Sequence, residues 1–122
     1  MSQKESFLVN RLKSVGYAFK GAVYVIRTEA SIKIQVFIAI AITIAGFYFD
    51  ISKTEWLFQI IFIGLVMSLE AMNTAIEYMA DFIHPDKHDT IGKIKDIAAG
   101  AVLLAAISSV IGALVIYIPK IF

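Results

Sequence analysis

Glu70, Asn73, Glu77 and Asp81 follow one another at steps of three, four and four residues, the spacing that sets side chains on one face of a helix. That face lies inside, or just at the end of, a segment otherwise apolar enough to enter a membrane. A charged side chain at bilayer depth costs about 2.5 to 3.5 kcal/mol even on insertion scales, so two glutamates there point to a functional site. Hard oxygen ligands of this kind suit a divalent cation, and a carboxylate can accept a hydroxyl proton; Glu29 and Lys95 add another acid and a cation for phosphate charge. The inventory serves metal-assisted phosphoryl transfer. It serves a proton relay or a cation pathway equally well.

Plainer roles compete with each of these. Glu70 and Glu77 could be hydrogen-bond partners between helices, Asn73 helix–helix glue, Glu29 a solvated charge at a helix end, and Lys95 a snorkelling lysine beside an N-cap Asp96. No GxxxxGK[ST], GxGxxG, HRD or DFG motif is present, which excludes the known soluble kinase folds. His84 and His88 stand four apart, but Pro85 between them argues against a regular helix, so they read as polar loop residues rather than a zinc pair.

The elements that must hold these groups follow from composition. The 122 residues are 59% apolar with a net charge of +1, too greasy for an ordinary soluble domain, and they read as a single small all-α integral membrane protein over 1–122. The basic residues are spread rather than gathered into a patch, so no nucleic-acid partner is expected. There are no cysteines, which excludes disulfides and thiol chemistry. The N-terminal MSQKESFLVNRLK lacks the apolar core and cleavage site of a removable signal peptide.

Runs free of charge cover 34–49, 56–69 and 97–118, the last closed by Pro119. A membrane span needs about 20 residues, so the first is extended at its amino end with Lys33 snorkelling, and the second must continue through Glu70 and Glu77. Transmembrane helices are therefore expected over about 31–49, 56–80 and 97–118, joined by a short 50–55 connection and a longer polar loop over 81–96. Over 6–28, Leu8, Leu12, Val15, Phe19, Val23 and Ile26 recur at helical spacing, as in an amphipathic helix lying in the interface or packed on the protein's own bundle. Six basic residues precede the first span and three lie in 81–96, against Lys53 and Lys120 elsewhere, which puts the N-terminus and the 81–96 loop in the cytoplasm. Trp56 is expected to anchor the outer interface. Ala101, Ala105, Ser109 and Ala113 form a small-residue stripe suited to close helix approach in an oligomer.

EAMNTAIEYMADFIHPDKHDTIGKIKDIAAGAVLL, residues 70–104, closely resembles the E-x-x-N-[ST]-A-I-E, D, H and K-D pattern of the prokaryotic diacylglycerol kinase family. Upstream, RLKSVGYAFKGAVYVIRTEASIKIQ carries the family's lysine, Gly-Tyr and Lys-Gly pairs and glutamate at matching spacing, so the resemblance covers nearly the whole chain. It implies a homotrimeric bundle in the bacterial inner membrane that moves the γ-phosphoryl group of ATP onto a lipid hydroxyl, with the site shared between subunits on the cytoplasmic side.

Transferred to this sequence, the resemblance makes Glu70 the base that takes the lipid hydroxyl proton and Asn73 an orienting residue. Glu29 and Glu77 would hold Mg²⁺ with ATP, and Lys95 and Asp96 would contact the nucleotide, Lys95 on the phosphates. Tyr17, Asp86 and His88 match further nucleotide contacts. Asn10 and Gln35 depart from the family pattern: some relatives have an arginine at the first, here followed by Arg11, and a carboxylate or histidine at the second. The family divides between undecaprenol and diacylglycerol as acceptor, and Ala98-Ala99, where diacylglycerol kinases usually have Gly-Ser, leans toward undecaprenol. A non-enzymatic oligomeric proton- or cation-coupled transporter using the same glutamates is the alternative of another class.

Overall fold

The computed structural model describes residues 6–122 as four helices, with no strand among those residues. The helices are α1 (Phe7–Thr28), α2 (Ala30–Tyr48), α3 (Lys53–Ile83) and α4 (Asp89–Ile121). Residues 1–5, including Lys4 of the basic count and the start of the segment read for a signal peptide, lie outside the described residues. By length and composition α2, α3 and α4 can each cross a membrane.

Local chemistry explains where the helices begin and end. Ser6 caps α1 by accepting from the Val9 N–H at 3.3 Å. Glu29 is the single extended residue between α1 and α2. At the far end of α2 the Asp50 and Ile51 N–H groups bond back to the Phe47 and Gly46 carbonyls, at 3.3 and 3.1 Å, the paired pattern of a Schellman stop. The residue in the left-handed conformation is Asp50 (φ 49°), where a glycine is usual.

Three of the sequence expectations are corrected here. The 50–55 connection is shorter than expected because Ser52 and Glu55 form a capping box, Glu55 N–H to Ser52 Oγ at 3.1 Å and Ser52 N–H to Glu55 Oε1 at 2.9 Å. Lys53, Thr54 and Glu55 therefore already belong to α3. The 81–96 segment is mostly helical: α3 runs through Ile83 and α4 starts at Asp89, leaving residues 84–88 around Pro85 as the loop. Pro119 does not close the last span; it sits inside the last turn of α4, where the chain continues to a Phe122 N–H bond on the Ile118 carbonyl at 3.0 Å. A proline so near a helix end removes a single intrahelical bond and leaves the turn intact.

The helices α2, α3 and α4 pack antiparallel in sequence order, α3 and α4 most extensively. Gly112 lets α4 close on α3, since a Cβ there would stand 2.4 Å from Cε2 of Phe62. Gly46 does the same for α2, a Cβ there falling 2.6 Å from Cη2 of Trp56. The best-packed core sits at the α2–α3 turn, where Ile51, Ile116 and Tyr117 are buried among Ile42, Ala45, Phe49, Trp56 and Ala113. The small-residue stripe of α4 faces inward over much of its length: Ala105 is buried and Ala113 packs on that core.

Most large apolar side chains of α2, α3 and α4 are exposed in the single chain, as expected where lipid or a neighbouring subunit is the solvent. No residue of α1 is fully buried, and its Leu8, Leu12, Val15, Phe19, Val23 and Ile26 are all exposed, so the helix does not sink its apolar side into its own bundle.

Candidate active site

The two ends of the bundle differ in chemistry. At the α2–α3 turn the paired polar groups hold the fold: Ser52 with Glu55, Glu55 with Lys120, and Gln59 with Tyr117. The chemistry-bearing residues collect at the opposite end, where α1 meets α2, α3 runs out and α4 begins.

On α3, Glu70 is buried and its backbone carbonyl accepts from the Thr74 hydroxyl at 3.1 Å, one turn on. Asn73 and Glu77 are joined, the Asn73 amide donating to Glu77 Oε1 at 3.3 Å. The Asn73 side-chain oxygen is buried with no hydrogen-bond partner. That orphan oxygen beside a carboxylate is costly unless a cation or donor meets it. Glu29 reaches α3 from the α1–α2 junction, where its Oε1 accepts from the Tyr78 hydroxyl at 3.3 Å.

Around the 84–88 loop a small cavity of about 190 Å³ is lined by Asp81, His84, Asp86, His88 and Lys95, among others. Lys95 projects from the second turn of α4 and forms an ion pair with Asp81 of α3. His88, not Asp96, is the N-cap of α4: its Nδ1 accepts from the Thr90 N–H at 3.1 Å. Asp96, read from the sequence as a cap, lies inside the helix and is exposed, because α4 starts earlier than its apolar run. His84 faces the Asp86 carbonyl at 2.9 Å through Nδ1, and its ring lies 5.0 Å from that of His88.

The sequence-named residues thus fall into two groups within one end of the chain. Asp86, His88 and Lys95 share the loop cavity, and Asn73 pairs with Glu77 while Glu29 reaches α3 beside it. Tyr17, midway along α1, is exposed and shares neither group, and among the described residues the Glu70 side chain forms no hydrogen bond or ion pair with them. Sequence reasoning missed Tyr78 and Tyr24, whose hydroxyls lie 3.1 Å apart, and the pairing of Asp81 with Lys95. Asp81 was visible as the last member of the acidic face; nothing in the spacing singled out the tyrosines.

Among the described residues no three acidic, histidine or cysteine side chains converge as a self-sufficient metal site. Mg²⁺ does not require one. It is commonly held by one or two carboxylates with phosphate oxygens and water completing its shell. Glu29, Glu77 and the orphan Asn73 oxygen are hard donors that fit such a set.

The family described as Prokaryotic diacylglycerol kinase matches residues 16–117. The chain belongs to that family. It is 41% identical over 109 residues to the undecaprenol kinase of Bacillus subtilis, covering 88% of each chain. It is 34% identical over 101 residues to the diacylglycerol kinase of Escherichia coli, covering 82% of each. Against the diacylglycerol kinase of Synechocystis the identity is 37% over 103 residues, 84% of this chain and 59% of the relative. Membership makes this a membrane lipid kinase, and the residues brought together at the loop-bearing end lie within the two stretches that first suggested the family.

Proposed function

We propose that this kinase transfers the γ-phosphoryl group of ATP to the hydroxyl of undecaprenol, from the cytoplasmic side of the bacterial inner membrane, as a homotrimer. The observation that carries the acceptor is the identity with the relative named undecaprenol kinase, higher than with either diacylglycerol kinase, together with Ala98-Ala99 at the start of the apolar part of α4. A groove of about 560 Å³ between α2, α3 and α4, lined mostly by apolar side chains, suits a long hydrocarbon chain.

Glu70 takes the hydroxyl proton while the alcohol oxygen forms a bond to the γ-phosphorus and the bond to the β,γ-bridging oxygen breaks, releasing ADP. Asn73 orients Glu77 through their hydrogen bond. Glu29 and Glu77 would hold Mg²⁺ together with ATP, where the ion would neutralise phosphate charge. Lys95 turns from Asp81 toward the phosphates, an exchange that costs little because the pair is exposed. Asp86 and His88 line the nucleotide's approach, with Asp96 and Tyr17 as outer contacts.

The basic count supports a cytoplasmic site, and α1 with its exposed apolar side suits a place in the interface. Trimer formation is supported by the family resemblance and by how little of the site one chain encloses.

Proteoliposomes given γ-labelled ATP and each lipid test the reading. Undecaprenyl phosphate should form faster than phosphatidic acid. Faster phosphatidic acid reverses the acceptor, and cation movement with neither product replaces the kinase by a transporter.

A further inference from the structure

The junction residue Glu29 has an orientation problem. It is extended (φ −97°, ψ 117°) between two helices, and although it occupies the N-cap position of α2 its side chain makes no capping bond. Its own backbone therefore does not fix its carboxylate. Among the described residues, what meets the carboxylate is the Tyr78 hydroxyl, 49 positions away on α3.

Tyr78 is in turn held from α1. The Tyr24 hydroxyl lies 3.1 Å from that of Tyr78, and the two rings meet edge to face with centroids 6.4 Å apart. Proton counting sets the direction of the chain. An ionised carboxylate only accepts, so Tyr78 spends its one proton on Glu29, and the bond between the tyrosines must use the proton of Tyr24. Donors in series polarise one another, so Tyr24 strengthens the grip of Tyr78. Only one Glu29 oxygen is engaged, which leaves the other for a ligand.

We propose that Tyr78, backed by Tyr24, is a positioning residue that presents Glu29 to the magnesium–nucleotide complex and so couples the seat of α1 on α3 to nucleotide affinity. This rests on the reading of Glu29 as a metal ligand given above. Partners of a ligating group that fix its orientation influence affinity through geometry, without touching the metal.

The test uses the full chain in detergent micelles, with Mn²⁺ and β,γ-imido-ATP as probe, followed by electron paramagnetic resonance. Tyr78→Phe keeps the ring and should weaken Mn²⁺-nucleotide binding about tenfold, with the thermal midpoint unchanged. The KM for MgATP should rise by a similar factor while kcat at saturation falls much less. Tyr24→Phe should shift both quantities in the same direction by less. Wild-type affinity in Tyr78→Phe, or a loss matched by a fall in the thermal midpoint, overturns the proposal. Glu29→Gln separates the levels: if it abolishes probe binding while Tyr78→Phe does not weaken it, the positioning role alone fails. If Glu29→Gln binds the probe normally, the metal role of Glu29 fails and the positioning role with it.

Discussion

The Tyr117 hydroxyl of α4 meets Gln59 Oε1 of α3 at 2.6 Å, and the Gln59 amide donates in turn to the Ile42 carbonyl of α2 at 3.2 Å. Both side chains are buried, so this polar knot ties three helices together at the end of the bundle farthest from the chemistry. Tyr117→Phe leaves the Gln59 oxygen without its donor and should lower stability by about 1 kcal/mol. Adding Gln59→Met should cost less than the sum of the two single changes, because the orphaned group is then gone. Unfolding midpoints in mixed micelles measure both effects, and activity per folded molecule should not change.

Glu70→Gln keeps the size of the side chain and removes the carboxylate proposed above as the proton acceptor. Lipid phosphorylation should fall by about 10²-fold or more, in the range a general base supplies. Labelled product extracted from proteoliposomes measures the loss, while crosslinking should show unchanged assembly. Activity within a few-fold of wild type would assign the proton to another group.

Lys95→Ala breaks the ion pair with Asp81, whose side chains are 36% and 57% exposed. An exposed pair contributes less than about 1 kcal/mol, so the thermal midpoint should barely move. The KM for ATP should instead rise by about tenfold, which corresponds to about 1.4 kcal/mol of lost binding. Asp81→Ala separates the roles, since it frees Lys95 and should leave that KM unchanged or lower.

Gly46→Ala places a methyl 2.6 Å from Cη2 of Trp56 and 3.2 Å from Cδ1 of Ile51. The indole also packs at a tilt against Phe47 with centroids 4.9 Å apart, and Ile51 is buried, so neither neighbour yields freely. The expected outcome is destabilisation of about 1 to 3 kcal/mol despite alanine's better helix propensity. Thermal unfolding measures it.

The parts of this protein legible in the sequence were those written in local periodicity. The three apolar runs became α2, α3 and α4, and the Glu70–Asp81 face fell on a single helix. Boundaries were less legible because charge was read as loop. Lys53 and Glu55 looked like a connection, yet Ser52 and Glu55 carry the S-x-x-E capping pattern; Lys95 and Asp96 looked like a helix start, yet His88 caps the helix two turns earlier. The ion pair of Asp81 with Lys95 could not be read, since it depends on how the 84–88 loop turns α4 back on α3. Tyr78 was hidden for a different reason. It follows the motif Glu77 directly, about 100° round the helix, and points to partners 49 and 54 residues upstream.

The unequal helix lengths have a consequence for where the reaction meets the lipid. With 19 residues α2 extends roughly 28 Å, close to the roughly 30 Å of a hydrocarbon core, whereas α3 and α4, with 31 and 33, reach roughly 46 and 50 Å. All three are level at the α2–α3 turn, where Lys120 pairs with Glu55 at 3.1 Å, so the surplus of α3 and α4 emerges on the other side. Measured from Ser52, Glu70 stands roughly 27 Å along α3, close to the roughly 30 Å depth of a hydrocarbon core. On the reading proposed above, the Glu70 carboxylate is thus level with the plane where an alcohol headgroup floats, and the 84–88 loop cavity stands beyond it. Bilayer thickness then becomes a lever on the proposed reaction: a few ångström more of hydrocarbon would draw Glu70 below the level at which the alcohol and the nucleotide meet.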